Sequence, residues 1–119
     1  MPAATLKYMS IKRICFQTTP ELVAQQRGFW AGTPGGEGIT VGPLKIVPLD
    51  RVTILDERPE PESLPAYQAA FRRGVRFPPV LVQPPRRKGG KFRVVDGKHR
   101  LSACRREKAT HIPVVIEEA

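Results

Sequence analysis

With 119 residues, 40% of them hydrophobic, the chain is sized for one domain with a modest core. Lys and Arg outnumber Asp and Glu 20 to 11, a formal net charge of +9, and a field of that sign draws in phosphates, so a nucleotide or polyanion partner is expected. No apolar run approaches the roughly 20 residues of a membrane span, and the N-terminus carries no secretory hydrophobic region, so the expectation is a cytoplasmic protein with no membrane partner.

In chain order, Ile11 to Phe16 reads as a short strand. Thr19-Pro20 opens a helix, with Thr19 as N-cap and Pro20 at the first helical position, and Gly28 is its expected stop. Phe29 and Trp30 then stand beside a glycine-rich loop over 31–38; they suit packing on the core, or stacking on a base. Leu44 to Leu49 reads as a strand, continued after a bend by Val52 to Leu55, and the acidic, proline-rich stretch 56–62 connects it to a helix capped by Ser63. Leu64, Tyr67, Ala70 and Phe71 form that helix's apolar stripe, and Gly74 stops it. Phe77 to Val82 and Lys91 to Val95 read as strands flanking a basic hairpin loop, followed by a helix over about 98–108 and a closing strand, Ile112 to Ile116. Strand, helix, strand, strand, helix, strand with short connections predicts an α+β domain, a small mixed sheet flanked by helices. Cys15 and Cys104, the only cysteines, lack the spacing of a metal or redox motif and are expected as two buried thiols.

The most informative stretch is Val94-Val95-Asp96-Gly97-Lys98-His99-Arg100-Leu101. A strand followed at once by a glycine turn and a helix start aims unpaired backbone N–H groups outward, a ready site for a phosphate. Lys98 adds a point charge and Arg100 a two-pronged grip on phosphate oxygens. His99 suits phosphate contact, or proton transfer near neutral pH.

Four stretches then match, in order and spacing, the ParB/sulfiredoxin superfamily, and residues 44–118 resemble its small ParB-like nuclease-domain members. These stretches are Ile46 to Val52, Gly74 to Val82, Val95 to Ala103 and His111 to Val115. The resemblance implies a single ParB/sulfiredoxin-like domain over 44–119, with residues 1–43 an extension, of a role not read from the sequence, that packs on the core. It implies that Gly97, Lys98, His99 and Arg100 hold nucleotide phosphates, with Arg58 contributing from the loop after the first strand and Arg76 from the segment after the helix. The ligand so implied is a nucleoside triphosphate, CTP or ATP, with Mg²⁺. Sulfiredoxin chemistry needs a cysteine where Lys98 stands, and Phe77 occupies the place of a glutamine found in CTP-binding ParB proteins, so the base preference stays open.

Asp56 and Glu57 are the candidates for a metal ligand or general base, since in kinase-like relatives an acidic residue near this place activates the acceptor hydroxyl; His99 is the candidate proton carrier, and Asp96 is a further candidate Mg²⁺ contact, or a cap on the turn backbone. Arg86, Arg87 and Lys88 suit contact with a DNA backbone, which needs no base readout. The leading expectation is a ParB-like nucleotide- and DNA-associated protein, an NTPase or nickase if an enzyme, with room for a homodimer. The alternatives are a small-molecule phosphotransferase of the same fold, and a non-catalytic adaptor or inhibitor from a plasmid or phage-like element.

Overall fold

The computed structural model describes residues 12–32, 40–54 and 61–118. Among them are three α-helices, α1 (Pro20–Gly32), α2 (Leu64–Arg72) and α3 (Lys98–Arg106). Six strands accompany them: β1 (Thr40–Val41), β2 (Lys45–Pro48), β3 (Val52–Thr53), β4 (Val80–Gln83), β5 (Phe92–Asp96) and β6 (His111–Glu118). The strands make one mixed sheet in the order β1-β6-β4-β5-β3, with β2 also paired to β6. β4 runs parallel to β6 and β3 parallel to β5, while β4 and β5 form an antiparallel hairpin whose register shifts between Leu81 and Val82. The expected α+β architecture with a mixed sheet is what forms.

β4 explains why the sheet is covered on both sides. Successive side chains of a strand point to opposite faces, and Val80, Leu81 and Val82 are all buried. Val80 and Val82 join Val52, Leu101, Cys104, Ile112 and Val114 in the main core, whereas Leu81 packs with Val115 and Trp30 in a second cluster. α2 and α3 pack against each other, and the α2 stripe carries rings: Phe71 stacks on Phe16 at 5.5 Å and meets Phe77 edge-on at 5.2 Å. Each such aliphatic or aromatic side chain, fully buried, contributes about 1.5–3 kcal/mol.

The ends of the helices follow local chemistry in most places. Thr19 Oγ1 accepts from the Leu22 N–H at 3.1 Å, the expected N-cap. Gly74, at φ +77°, closes α2: its N–H bonds to Phe71 C=O and that of Val75 to Ala70 C=O, the double bond pattern of a left-handed helix stop. α3 ends the same way with Lys108 at φ 55°, Lys108 N–H bonding to Arg105 C=O and Ala109 N–H to Cys104 C=O.

Five expectations are corrected. α1 continues through Gly28 to Gly32, because one further turn carries Trp30 into the cluster with Leu81 and Val115; that burial outweighs the roughly 1 kcal/mol a glycine costs inside a helix. Ser63 does not cap α2, since it lies in a short 3-10 turn (Pro61–Ser63) with helical backbone angles and makes no side-chain cap bond. The first strand stops at Pro48, where Leu49–Arg51 turns as a 3-10 helix before β3. Residues 13–17 are not a strand but a single bridge, Ile14 with His111, tied down by Cys15 N–H to His111 C=O (2.9 Å) and by Phe77 N–H to Gln17 C=O (3.0 Å).

The fifth correction concerns the thiols. Cys15 and Cys104 form a disulfide, with Cα atoms 5.5 Å apart and a sequence separation of 89. The bridge joins the N-terminal segment to the last turn of α3, where Cys104 shares the main core with Leu101. Sequence spacing carries no information about such a meeting, because the fold alone brings the segment at Cys15 against α3.

Candidate functional site

The junction of β5 and α3 is built on Gly97. Its backbone sits at φ +113°, ψ 24°, a left-handed conformation that side chains disfavour. Space forbids a side chain too: a Cβ there would lie 2.9 Å from Val80 Cγ2 and 3.0 Å from Arg100 Nη2. The close approach lets β5 turn directly into α3. The first intrahelical bond is Leu101 N–H to Gly97 C=O, at 3.0 Å, which leaves the N–H groups of Lys98, His99 and Arg100 in the first turn ahead of it.

Arg100 lies half-buried under this turn. Its Nη2 donates to Pro79 C=O at 3.3 Å, while its buried Nε has no hydrogen-bond partner among the described residues. Burial pulls its pKa below the ordinary arginine range, opposed by the negative charge of Asp96 and then by Tyr67; the group remains a cation. His99 stacks on Tyr67, ring centroids 6.1 Å apart at 15°. That contact ties the turn to the aromatic cluster of α2, where Tyr67 also meets Phe77 at 5.8 Å.

Asp96 ends β5 and faces α1. Its Oδ2 accepts from Trp30 Nε1 at 2.7 Å and from Gln26 Nε2 at 3.2 Å. Reading the sequence missed both donors. The only local signal was the pair Phe29-Trp30, and of these Trp30 is buried while Phe29 is 64% exposed. Among the described residues no three His, Cys, Asp or Glu side chains gather as a metal site.

Arg76 is exposed on the extended segment between Gly74 and β4. Asp56, Glu57 and Arg58 lie outside the described residues. His111 is half-buried, with Nδ1 2.9 Å from Thr110 Oγ1.

A second cationic region lies at the β4–β5 hairpin. Arg86, Arg87 and Lys88 are exposed at its tip, closed by Gly90 N–H to Arg87 C=O at 2.9 Å. Two further arginines brace it: Arg93 Nη2 donates to Pro84 C=O and Arg51 Nη2 to Gly90 C=O, each at 3.0 Å. Arg51 also lies over the Phe92 ring at 6.0 Å. Next to it opens a cleft of about 550 Å³ whose walls include Asp50, Lys91, Arg105 and His111. Sequence reading included the loop cations but not Arg51.

The mixed sheet with its flanking helices is the ParB/sulfiredoxin fold. Two of the solved structures similar to this chain overlap it as follows. The C-terminally truncated chromosome-partitioning protein ParB from Caulobacter crescentus, complexed with CTP-gamma-S, superposes with a TM-score of 0.57 at 22% identity, over 66% of this chain and 46% of that one. SbnI with a C-terminal truncation, from Staphylococcus aureus, superposes with a TM-score of 0.52 at 28% identity, over 64% of this chain and 30% of that one. The chain thus spans less than half the length of either neighbour. No family model matches the sequence, and no curated protein matches it.

Proposed function

We propose that this is a ParB-like nucleotide- and DNA-associated protein in which Gly97, Lys98, His99 and Arg100 hold the phosphates of a nucleoside triphosphate, CTP or ATP. The observation that carries the reading is Arg100: a half-buried guanidinium directly under the glycine turn, with a buried Nε that nothing in the described chain satisfies. A guanidinium packed against a helix start adds fixed positive charge beside the first-turn N–H groups, and the two together suit a phosphate oxygen. The ParB neighbour holds a CTP analogue, which supports a nucleotide as the anion. Arg58 and Arg76 complete the cationic ring in this reading.

The residues of the turn fit Mg²⁺ only as an ion carried on the phosphates. Asp96 is the one carboxylate in residues 94–104, and its Oδ2 already has two donors; magnesium, which keeps waters and phosphate ligands, needs no dedicated protein cage. When bound, the ion would neutralise phosphate charge. Lys98 and Arg100 orient the phosphates, and His99, fixed by Tyr67, presents its ring at the same turn. In an enzymatic form of the reading, hydrolysis of the nucleotide or nicking of DNA, Glu57 is the general base and His99 the proton carrier. DNA is held through its backbone by Arg86, Arg87 and Lys88, steadied by Arg51 and Arg93. Among the described residues no helix is long and apolar enough to cross a membrane, and the proposed setting is the cytoplasm.

The test is a thermal-shift panel of CTP, ATP, GTP and ADP, each with and without Mg²⁺. Binding to the native state raises the apparent Tm by mass action. A shift for triphosphates that Arg100→Ala abolishes supports the reading. No shift for any of the four at millimolar concentration overturns it.

A further inference from the structure

Residues 1–43 carry no part of the family resemblance, yet α1 from this extension reaches the turn. Trp30 and Gln26 stand on the same face of α1, four residues apart, and both donate to one oxygen of Asp96, the residue immediately before Gly97. Trp30 is held in place by burial against Leu81 and Val115. The carboxylate is thus drawn toward α1, although it is close enough to Arg100 to act on that guanidinium's charge. A carboxylate beside a phosphate site is a rival: released, it would repel the phosphate and pair with the cations meant for it.

We infer that α1 is a positioning element for the phosphate turn, in which Trp30 and Gln26 hold the Asp96 carboxylate away from Arg100 and Lys98 and so keep those cations available to an anion. The inference rests on the reading of the turn as a phosphate site. Trp30 and Gln26 touch no ligand themselves and act through Asp96. The N-terminal extension then sets the affinity of a site whose own residues all lie beyond it in sequence. Anything that lifts α1 from the sheet weakens that site.

Inorganic tripolyphosphate is the probe, titrated by calorimetry at low salt into the full chain and into Trp30→Phe, Gln26→Met, Asp96→Asn and the Trp30→Phe/Asp96→Asn double variant. Trp30→Phe keeps an apolar ring in the buried cluster and removes only the indole N–H. It is expected to weaken tripolyphosphate roughly fivefold or more, the lower end of ordinary coupling between sites. Gln26→Met moves affinity the same way by less, since its contact is 3.2 Å against 2.7 Å. Asp96→Asn removes the rival charge, so the double variant recovers wild-type affinity; a merely structural loss at Trp30 would not be rescued this way. Amide hydrogen exchange of Leu101, whose N–H bonds to Gly97 C=O and so reports on the closure of the turn, is measured without ligand and is expected to quicken in Trp30→Phe and Gln26→Met. Unchanged exchange in both, or a double variant that stays weak, overturns the inference. If the wild-type protein binds no tripolyphosphate, the phosphate reading itself fails, and the exchange measurement still decides whether α1 positions the turn.

Discussion

Gly97 and Arg100 are packed so closely that a single methyl group on the glycine would lie 3.0 Å from the arginine's Nη2. The turn and its guanidinium are therefore one unit, and altering either alters both. Gly97→Ala adds a left-handed backbone penalty to a contact of 2.9 Å with Val80. The expected cost is about 2–4 kcal/mol, read as a lower urea midpoint, with anion affinity falling further than stability explains. A Gly97→Ala protein as stable as the parent would show that the turn relaxes freely.

Arg100→Ala is expected to weaken nucleotide binding more than Lys98→Ala. An arginine loses fork geometry as well as charge, whereas lysine acts as a point charge, and Arg100 also carries the hydrogen bond to Pro79. Isothermal titration of both variants with the tightest triphosphate checks the order. Negligible losses at both positions would make the turn purely structural.

Changing Arg86, Arg87 and Lys88 together to Ser should weaken DNA binding equally across unrelated sequences. Every DNA phosphate that the protein no longer neutralises means about one counterion fewer released on binding. The slope of log affinity against log salt should therefore flatten by about one unit for each such phosphate. The hairpin tip offers no amide or carboxylate for base edges, so no sequence preference should disappear with it. Unchanged affinity and slope would move the nucleic-acid surface elsewhere.

The Cys15–Cys104 bridge joins positions separated by 89 in sequence, and removing it is expected to cost about 2–5 kcal/mol. Urea unfolding of Cys15→Ala/Cys104→Ala against the oxidised parent measures this. Thiol titration of protein isolated with rapid alkylation reports the state in the cell. The proposed cytoplasmic setting predicts that the alkylated sample holds the pair as thiols, which bridge on oxidation, because cytosolic reductants keep thiols reduced; a bridge already formed in that sample would place the protein in an oxidising compartment.

Glu107 is held by Arg72 (2.7 and 2.8 Å) and by Gln68 (2.7 Å). The bond from Arg72, then that from Gln68, keep its pKa below the ordinary glutamate value. The folded protein therefore prefers the charged form. Its contribution is fully present above the unfolded value of about 4.3 and is lost as pH falls through the lower folded value. Urea midpoints between pH 6 and pH 2 should fall less steeply in Glu107→Gln than in the parent. Parallel curves would show that the cluster linking α2 to α3 does not report on acid stability.

What the sequence by itself determined lies within a few residues of its cause. The Thr19 cap, the left-handed stop at Gly74, and the strand–turn–helix over 94–104 with Gly97 at its pivot are local stereochemistry, so residue order suffices to read them. The order of elements after residue 44 likewise indicated the mixed sheet. Only the tertiary structure decided the rest. α1 ignores the glycine at 28 because Trp30 finds Leu81 and Val115; the cysteines pair because the segment at residue 15 is laid beside α3; and Asp96 is claimed by Trp30 and Gln26, 66 and 70 residues away. These contacts join chain segments through packing of apolar faces, whose partners no local pattern names, so they exist only once the sheet has formed.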